Sequence, residues 1–167
     1  MPACVSWDAD IATAQSKVVS QIELEQVGYC LAVSPTEDMF VVGCTDGTVA
    51  VVDSKTNTIR ETISHEANVS SCTFSRKGGL LATFMDSSVR FWSSLSAPDQ
   101  FVKMDHPDGV TSAYLIQNGD YALTACLDKT LRAWDLSDGT QALEVTLPSQ
   151  PCCVVDENET LIACCDG

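Results

Sequence analysis

The chain has 167 residues, of which 45% are hydrophobic, so it is long enough to form one ordinary domain with an apolar core. Its formal net charge of −14 disfavours nucleic acid and anionic membranes as direct partners, since both are bound through Lys and Arg. A polar opening stretch, nine cysteines and no apolar run of membrane-spanning length predict an intracellular protein with reduced thiols, cytoplasmic or nuclear.

Short segments of alternating apolar and polar residues follow one another along the chain, separated by clusters of Gly, Asn, Asp and Ser. Such segments predict β-strands joined by hairpins. A helix over 10–26 competes with a strand over 17–24, and the strand is preferred because it fills the place of an outer strand. The later outer strands are expected near 58–63, 100–104 and 141–147.

An aspartate recurs six residues ahead of a bulky strand residue. The pairs are Asp46 with Val52, Asp86 with Trp92, and Asp128 with Trp134. With Asp166 near the end of the chain, the aspartates are 40, 42 and 38 residues apart. Self-similarity at this spacing indicates one supersecondary unit copied several times.

Each copied unit is predicted to hold four antiparallel strands. A single sheet of this size exposes apolar faces on both sides and becomes stable by stacking on its copies around an axis, so the chain is predicted to be an all-β propeller. The expected divisions are the end of a truncated blade over 1–27, full blades over 28–63, 64–104 and 105–147, and the start of a further truncated blade over 148–167.

Several residues at the repeat positions resemble the signature of WD-repeat (WD40-type) propellers. They are His65 and His106, Asp86 and Asp128, Trp92, Trp134-Asp135, and Trp7-Asp8 from a preceding blade. The resemblance implies a buried network in which the Asp accepts hydrogen bonds from turn amides and from the His, and a Ser or Thr links the His to the indole.

The three full blades are expected to differ in this network. All four members are present in the third blade, as His106, Thr124, Asp128 and Trp134. In the second blade Ala82 stands where the hydroxyl belongs, between His65, Asp86 and Trp92. In the first blade Asp46 remains, with Val42 and Val52 at other positions, and apolar packing is expected instead.

The predicted strands amount to about four blades, whereas the resemblance implies rings of about seven or eight. Three arrangements are therefore open. The chain is a fragment of a larger propeller, a half ring that pairs with a second copy, or a closed ring in which the terminal half-blades meet as one sheet. The fragment is favoured.

Other candidate sites are weighed against structural roles. His65 and His106 suit a general base or a metal ligand, but their repeat position favours structural hydrogen bonds. Cys152-Cys153 and Cys164-Cys165 bracket a turn near 158–159 and suggest a zinc site, but adjacent strand residues point to opposite faces, and small-residue packing is favoured. No metal and no cofactor are predicted. For Arg90 and Arg132, an ion pair with a neighbouring acid is preferred to contact with a partner.

The resemblance implies a non-catalytic scaffold that binds a protein or peptide on the propeller face made by loops and turns. The implied contact residues are Thr45, Met85 and Leu127 in turns, and Glu66, Asn68 and Asp108 in loops. The negative charge favours a basic partner. The alternative is an enzyme or small-ligand binder with its site in the central channel, but the innermost predicted strands carry no charged residue.

Overall fold

The computed structural model of the protein describes residues 3–10, 15–155 and 162–166. Over these ranges the fold is all-β, with a single short 3-10 helix at Gln117–Gly119, and the predicted fold class is confirmed. No helix in these ranges is long and apolar enough to span a membrane. The strands are β1 (Ala3–Asp10), β2 (Gln15–Glu23), β3 (Gly28–Val33), β4 (Met39–Cys44), β5 (Val49–Asp53), β6 (Thr58–Ile63), β7 (Val69–Phe74), β8 (Leu80–Phe84), β9 (Ser88–Trp92), β10 (Val102–Asp105), β11 (Val110–Ile116), β12 (Tyr121–Cys126), β13 (Thr130–Asp135), β14 (Gln141–Thr146), β15 (Pro151–Val155) and β16 (Ile162–Asp166).

Twelve of these strands form three four-stranded antiparallel sheets in which neighbours in the chain are neighbours in space. The first blade is β3 to β6, the second is β7 to β10, and the third is β11 to β14. Each sheet is a meander, in which short turns join most of the strands and the longer segment 93–101 joins β9 to β10. The segment that sequence patterns left between helix and strand is the strand β2, as preferred.

The first strand of each blade lies at the inner edge of its sheet. β3 packs beside β7, β7 beside β11, and β11 beside β15, so these strands line the shared axis. An irregularity in register recurs near the start of the first three, at Gly28/Cys30, Val69/Ser71 and Val110/Ser112. A bulge at the same place in three sheets is further support for one copied unit.

The apolar core lies between the blades. One cluster joins first-blade residues such as Val41 and Val49 to Leu80, Phe84 and Trp92 of the second blade. Another joins second-blade residues, among them Leu81, Val89 and Phe91, to the third blade through Leu115 and Trp134. Because both faces of a middle blade are buried, its strands are nearly continuous apolar runs, as in β8, where all five residues are buried.

The terminal strands form two separate pairs, β1 with β2 and β15 with β16. Within the described residues these pairs do not join as one sheet, which a closed four-bladed ring would need. In the β15–β16 hairpin, Cys152 lies opposite Cys165 and Cys153 opposite Cys164, as predicted. The turn of this hairpin, over 156–161, lies outside the described residues.

Candidate functional site

The aspartate that marks each repeat folds the turn between the second and third strands of its blade. Asp46 accepts hydrogen bonds from the amide and the hydroxyl of Thr48, at 3.0 and 2.7 Å. The same pattern joins Asp86 to Ser88 and Asp128 to Thr130. The residue after each aspartate has a positive φ, of 89° at Gly47, 69° at Ser87 and 69° at Lys129. The repeated aspartates are therefore turn-forming residues.

In the third blade, the structure brings three of the expected network residues together. The indole nitrogen of Trp134 donates to Thr124 Oγ1 at 2.9 Å, and His106 Nε2 lies 2.8 Å from the same oxygen. All three side chains are buried. Burial, together with the charge of Arg132, lowers the pKa of His106, so the ring is neutral.

Asp128 does not bond to His106, contrary to what the resemblance implied. Its second carboxylate oxygen accepts instead from Arg132 Nη2, at 2.7 Å, and His106 Nδ1 is buried without a partner among the described residues. The Arg132 guanidinium also donates through Nε to Glu144 at 3.1 Å. A guanidinium cation is a stronger hydrogen-bond partner for a carboxylate than a neutral imidazole, which explains the exchange.

In the second blade, the network is divided into two parts. His65 Nε2 lies 3.4 Å from Asp86 Oδ2, and the His65 ring stacks on Phe84 with 4.0 Å between centroids. The indole of Trp92 has no hydroxyl beside it and donates to the carbonyl of Pro98 at 2.9 Å. The Ala82 position, where the hydroxyl is missing, is fully buried.

In the first blade, apolar packing replaces the network. Leu24, Val42, Cys44 and Ala50 form a buried cluster. Leu24 lies 41 residues before His65, which itself lies 41 residues before His106, so leucine occupies the histidine position. Sequence reasoning missed this residue, although counting back along the repeat would have found it.

The implied partner-binding residues lie beside one another in pairs, because backbone hydrogen bonds tie each turn to the loop of its own blade. Met85 N donates to the carbonyl of Asn68 at 2.9 Å, and Leu127 N donates to the carbonyl of Gly109 at 2.9 Å. Met85 and Leu127 are 62% and 44% exposed although both are apolar. We call this surface the loop face; its other residues are Glu66, Asn68 and Asp108, which are exposed, and Thr45, which is half-buried.

The cysteines of the described core behave as small packing residues. Cys44 and Cys126 share the position two residues before the repeat aspartate, and both are buried. Cys30 and Cys72, on the inner strands of neighbouring blades, are free thiols with 3.5 Å between their sulfurs. Across the described residues, no three side chains of His, Cys, Asp or Glu come together as a metal site would need.

Copied four-stranded sheets, the aspartate turns and the His–Thr–Trp network define this protein as a WD-repeat β-propeller. The sequence pattern of the family described as Nucleoporin Nup120/160, beta-propeller domain, matches residues 8–162, and the chain belongs to this family.

Three relatives illustrate what the chain is similar to. A Periodic tryptophan protein 2 homolog of Caenorhabditis elegans is 30% identical over 124 residues, which are 71% of this chain and 13% of the relative. A U3 small nucleolar RNA-associated protein 15 homolog of Gallus gallus is 30% identical over 130 residues, 77% of this chain and 24% of the relative. An uncharacterized WD repeat-containing protein of Schizosaccharomyces pombe is 32% identical over 77 residues, 45% of this chain and 21% of the relative. The chain thus spans a quarter or less of these relatives.

Proposed function

We propose that the protein is a non-catalytic interaction scaffold that binds a protein or peptide on its loop face. The observation that carries the proposal is the exposure of Met85 and Leu127 at equivalent turns, each held by a hydrogen bond to its neighbouring loop. Exposed apolar side chains on a rigid framework, flanked by polar loops, are typical of protein-binding surfaces.

The central channel offers little for catalysis, which favours a scaffold over an enzyme. The inner strands β3, β7, β11 and β15 carry no charged residue and no histidine, so they supply no carboxylate or imidazole to the channel as a general acid or base. His65 and His106, the chain's two histidines, are engaged in contacts within their blades. The partner is accordingly proposed to be a macromolecule.

The nature of the partner follows from charge and from the relatives. A net charge of −14 favours basic protein surfaces over phosphate backbones. One relative is named for association with U3 small nucleolar RNA, so we include an RNA-containing assembly, reached through its proteins, among the settings in which the scaffold works. This proposal places the protein inside the cell, in the cytoplasm or nucleus, and as part of a larger propeller.

Substitution of the two exposed apolar residues of the turns tests the loop face. Met85→Asp, combined with Leu127→Asp, is expected to remove partners that the tagged wild-type protein retains in affinity purification with quantitative mass spectrometry. Leu143→Asp is the matched control, because Leu143 is 56% exposed but lies on the outer strand β14. Loss of the same partners from both variants, or from neither, would contradict a loop-face site.

A further inference from the structure

A polar pocket of about 440 Å³ lies on the second blade, between the loop that opens β7 and the strands β9 and β10. Its lining residues are Ser64, His65, Glu66, Asp86, Arg90 and Lys103. Neither the aspartate turn nor the loop face requires a cavity here. The role of its lining residues is best understood by comparison with the equivalent positions of the third blade.

The two blades differ in the residue that faces a central arginine across the outermost strand pair. In the third blade Arg132 lies opposite Glu144, and Arg132 Nε donates to that carboxylate. In the second blade Arg90 lies opposite Lys103 in the same kind of pairing. Like charges directly opposite each other destabilise a sheet, so the second blade has a cation where its copy has an anion.

The positive charge of Arg90 contacts two aromatic rings but forms no ion pair with a residue that the structure describes. Its guanidinium carbon lies 4.3 Å from the ring centroid of Phe101 and 5.5 Å from that of Phe84. Its Nε is buried and has no hydrogen-bond partner within the described part of the chain. Of the nearby acids, Asp86 is held by Ser88 and His65, and Asp105 is paired with Lys103 at 2.8 Å.

The charge balance of the two arginines shows the same contrast. Burial lowers the pKa of Arg90, and the fields of Asp86 and Asp105 oppose this without reversing it. Burial acts in the same direction on Arg132, but hydrogen bonds to Asp128 and Glu144 raise its pKa above the ordinary value. Arg90 therefore lacks the anion that completes the third blade.

We propose that the pocket is an oxyanion site, in which a carboxylate or phosphate group bridges Arg90 and Lys103, much as the Glu144 carboxylate pairs with Arg132 in the third blade. The arginine provides directional donors and the lysine a second positive charge, the combination that binds oxyanions. Glu66 and Asp86 lie in the same lining and repel a second negative charge, so a singly charged carboxylate fits better than a dianionic phosphate. The site does not depend on the proposed scaffold function.

Thermal unfolding with added anions tests this site. The wild-type protein is titrated with sodium acetate in one series and sodium phosphate in another, with sodium chloride holding ionic strength constant. A saturable rise in Tm of about 2 °C above the chloride baseline is expected. A rise with acetate identifies a carboxylate, and a rise with phosphate alone identifies a phosphate group; the absence of both would overturn the proposal.

Lys103→Glu supplies the missing anion from within the chain. This variant is expected to unfold about 2 °C higher than the wild type without added anion, and to lose the response to acetate or phosphate. Lys129→Glu, which makes the same change of net charge at an exposed turn, is the control and should keep the response.

Arg90→Gln gives an independent test, because it removes the bidentate donor without adding an acid. It should also lose the anion response, even if Lys103→Glu folds poorly. A full anion response in either Lys103→Glu or Arg90→Gln would show that the anions act elsewhere on the protein.

Discussion

The second and third blades share one backbone arrangement, but they differ in the side chains that pair with its tryptophan and its arginine. Both present a histidine, a turn aspartate, an arginine and a tryptophan at equivalent positions. The third blade links its residues through Thr124 and Glu144. The second has Ala82 and Lys103 at those two places, so its tryptophan bonds to a loop carbonyl and its arginine has no ion pair among the described residues.

The strands and turns therefore set the fold, whereas the polar network is optional. Stacked blades bury Trp92 completely although its hydroxyl partner is missing, because Pro98 supplies another acceptor. A copied unit can therefore lose a polar contact at one position and keep its fold, so a residue of different chemistry can occupy that position. Three substitutions and one change of pH test this contrast between the blades.

The largest effect is expected from Arg132→Met. This change removes the hydrogen bonds to Asp128 and Glu144 and leaves the mostly buried Asp128 carboxylate without its cation. We expect a loss of about 3 kcal/mol in the free energy of unfolding. Urea denaturation measures it, and a loss below about 0.5 kcal/mol would mean that the ion pairs do not stabilise the third blade.

Thr124→Val should have the next largest effect. The substitution nearly keeps the side-chain volume but removes the oxygen shared by Trp134 and His106, leaving both buried nitrogens unpaired. A destabilisation of about 2 kcal/mol is expected in urea denaturation. Thr73→Val, at a half-buried position of the second blade, is the control and should change stability by less than about 0.5 kcal/mol. Equal effects at both positions would contradict a special role for Thr124.

Mild acidification should destabilise the protein by about 1 kcal/mol between pH 7 and pH 5. Burial lowers the pKa of both His65 and His106 in the folded state. In the unfolded chain the histidine pKa values are about 6.5. The unfolded chain therefore binds more protons than the folded chain, so the free energy of unfolding falls as pH falls.

The two histidines are expected to contribute unequally to this pH dependence. His106→Gln should flatten the dependence of Tm on pH more than His65→Gln, because Asp86 lies beside His65 and favours its protonated form. The carboxylates of Asp86 and Asp128 also have lowered pKa values, and they contribute only in more acidic solution. A Tm that is independent of pH over this window would contradict burial of neutral imidazoles.

The smallest effect is expected from Arg90→Met. The change removes a charge that has no described ion pair and keeps an apolar stem against Phe84 and Phe101. The free energy of unfolding should change by less than about 0.5 kcal/mol. A loss comparable to that of Arg132→Met would show that Arg90 has an anionic partner within the chain.

Much of the fold could be predicted because the repeat is periodic. The even spacing of Asp46, Asp86 and Asp128 predicted three full four-stranded blades, and alternation predicted β6 at its observed bounds. The contact between Thr124 and Trp134 was implied by the resemblance to WD-repeat propellers.

Contacts that depend on strand register could not be predicted. Three contacts depend on which residues face each other. Asp128 accepts from Arg132, Trp92 donates to the Pro98 carbonyl, and Arg90 lies opposite Lys103. A pattern of single residues contains no such pairing, and the expectation that both arginines pair with acids held for Arg132 but not for Arg90 among the described residues.

Positions 90 and 103 of the second blade are the structural copies of positions 132 and 144 of the third. Two double-mutant cycles measured by urea denaturation test it most directly, one on Arg132→Met with Glu144→Gln, and one on Arg90→Met with Lys103→Glu. The coupling energy is expected to be about 1 kcal/mol in each blade, with the sign of an attractive pair between Arg132 and Glu144. In the second blade the sign is reversed, because the wild-type pair of Arg90 and Lys103 is repulsive and Lys103→Glu replaces it with an attractive one. Coupling in the third blade with none in the second would contradict the equivalence.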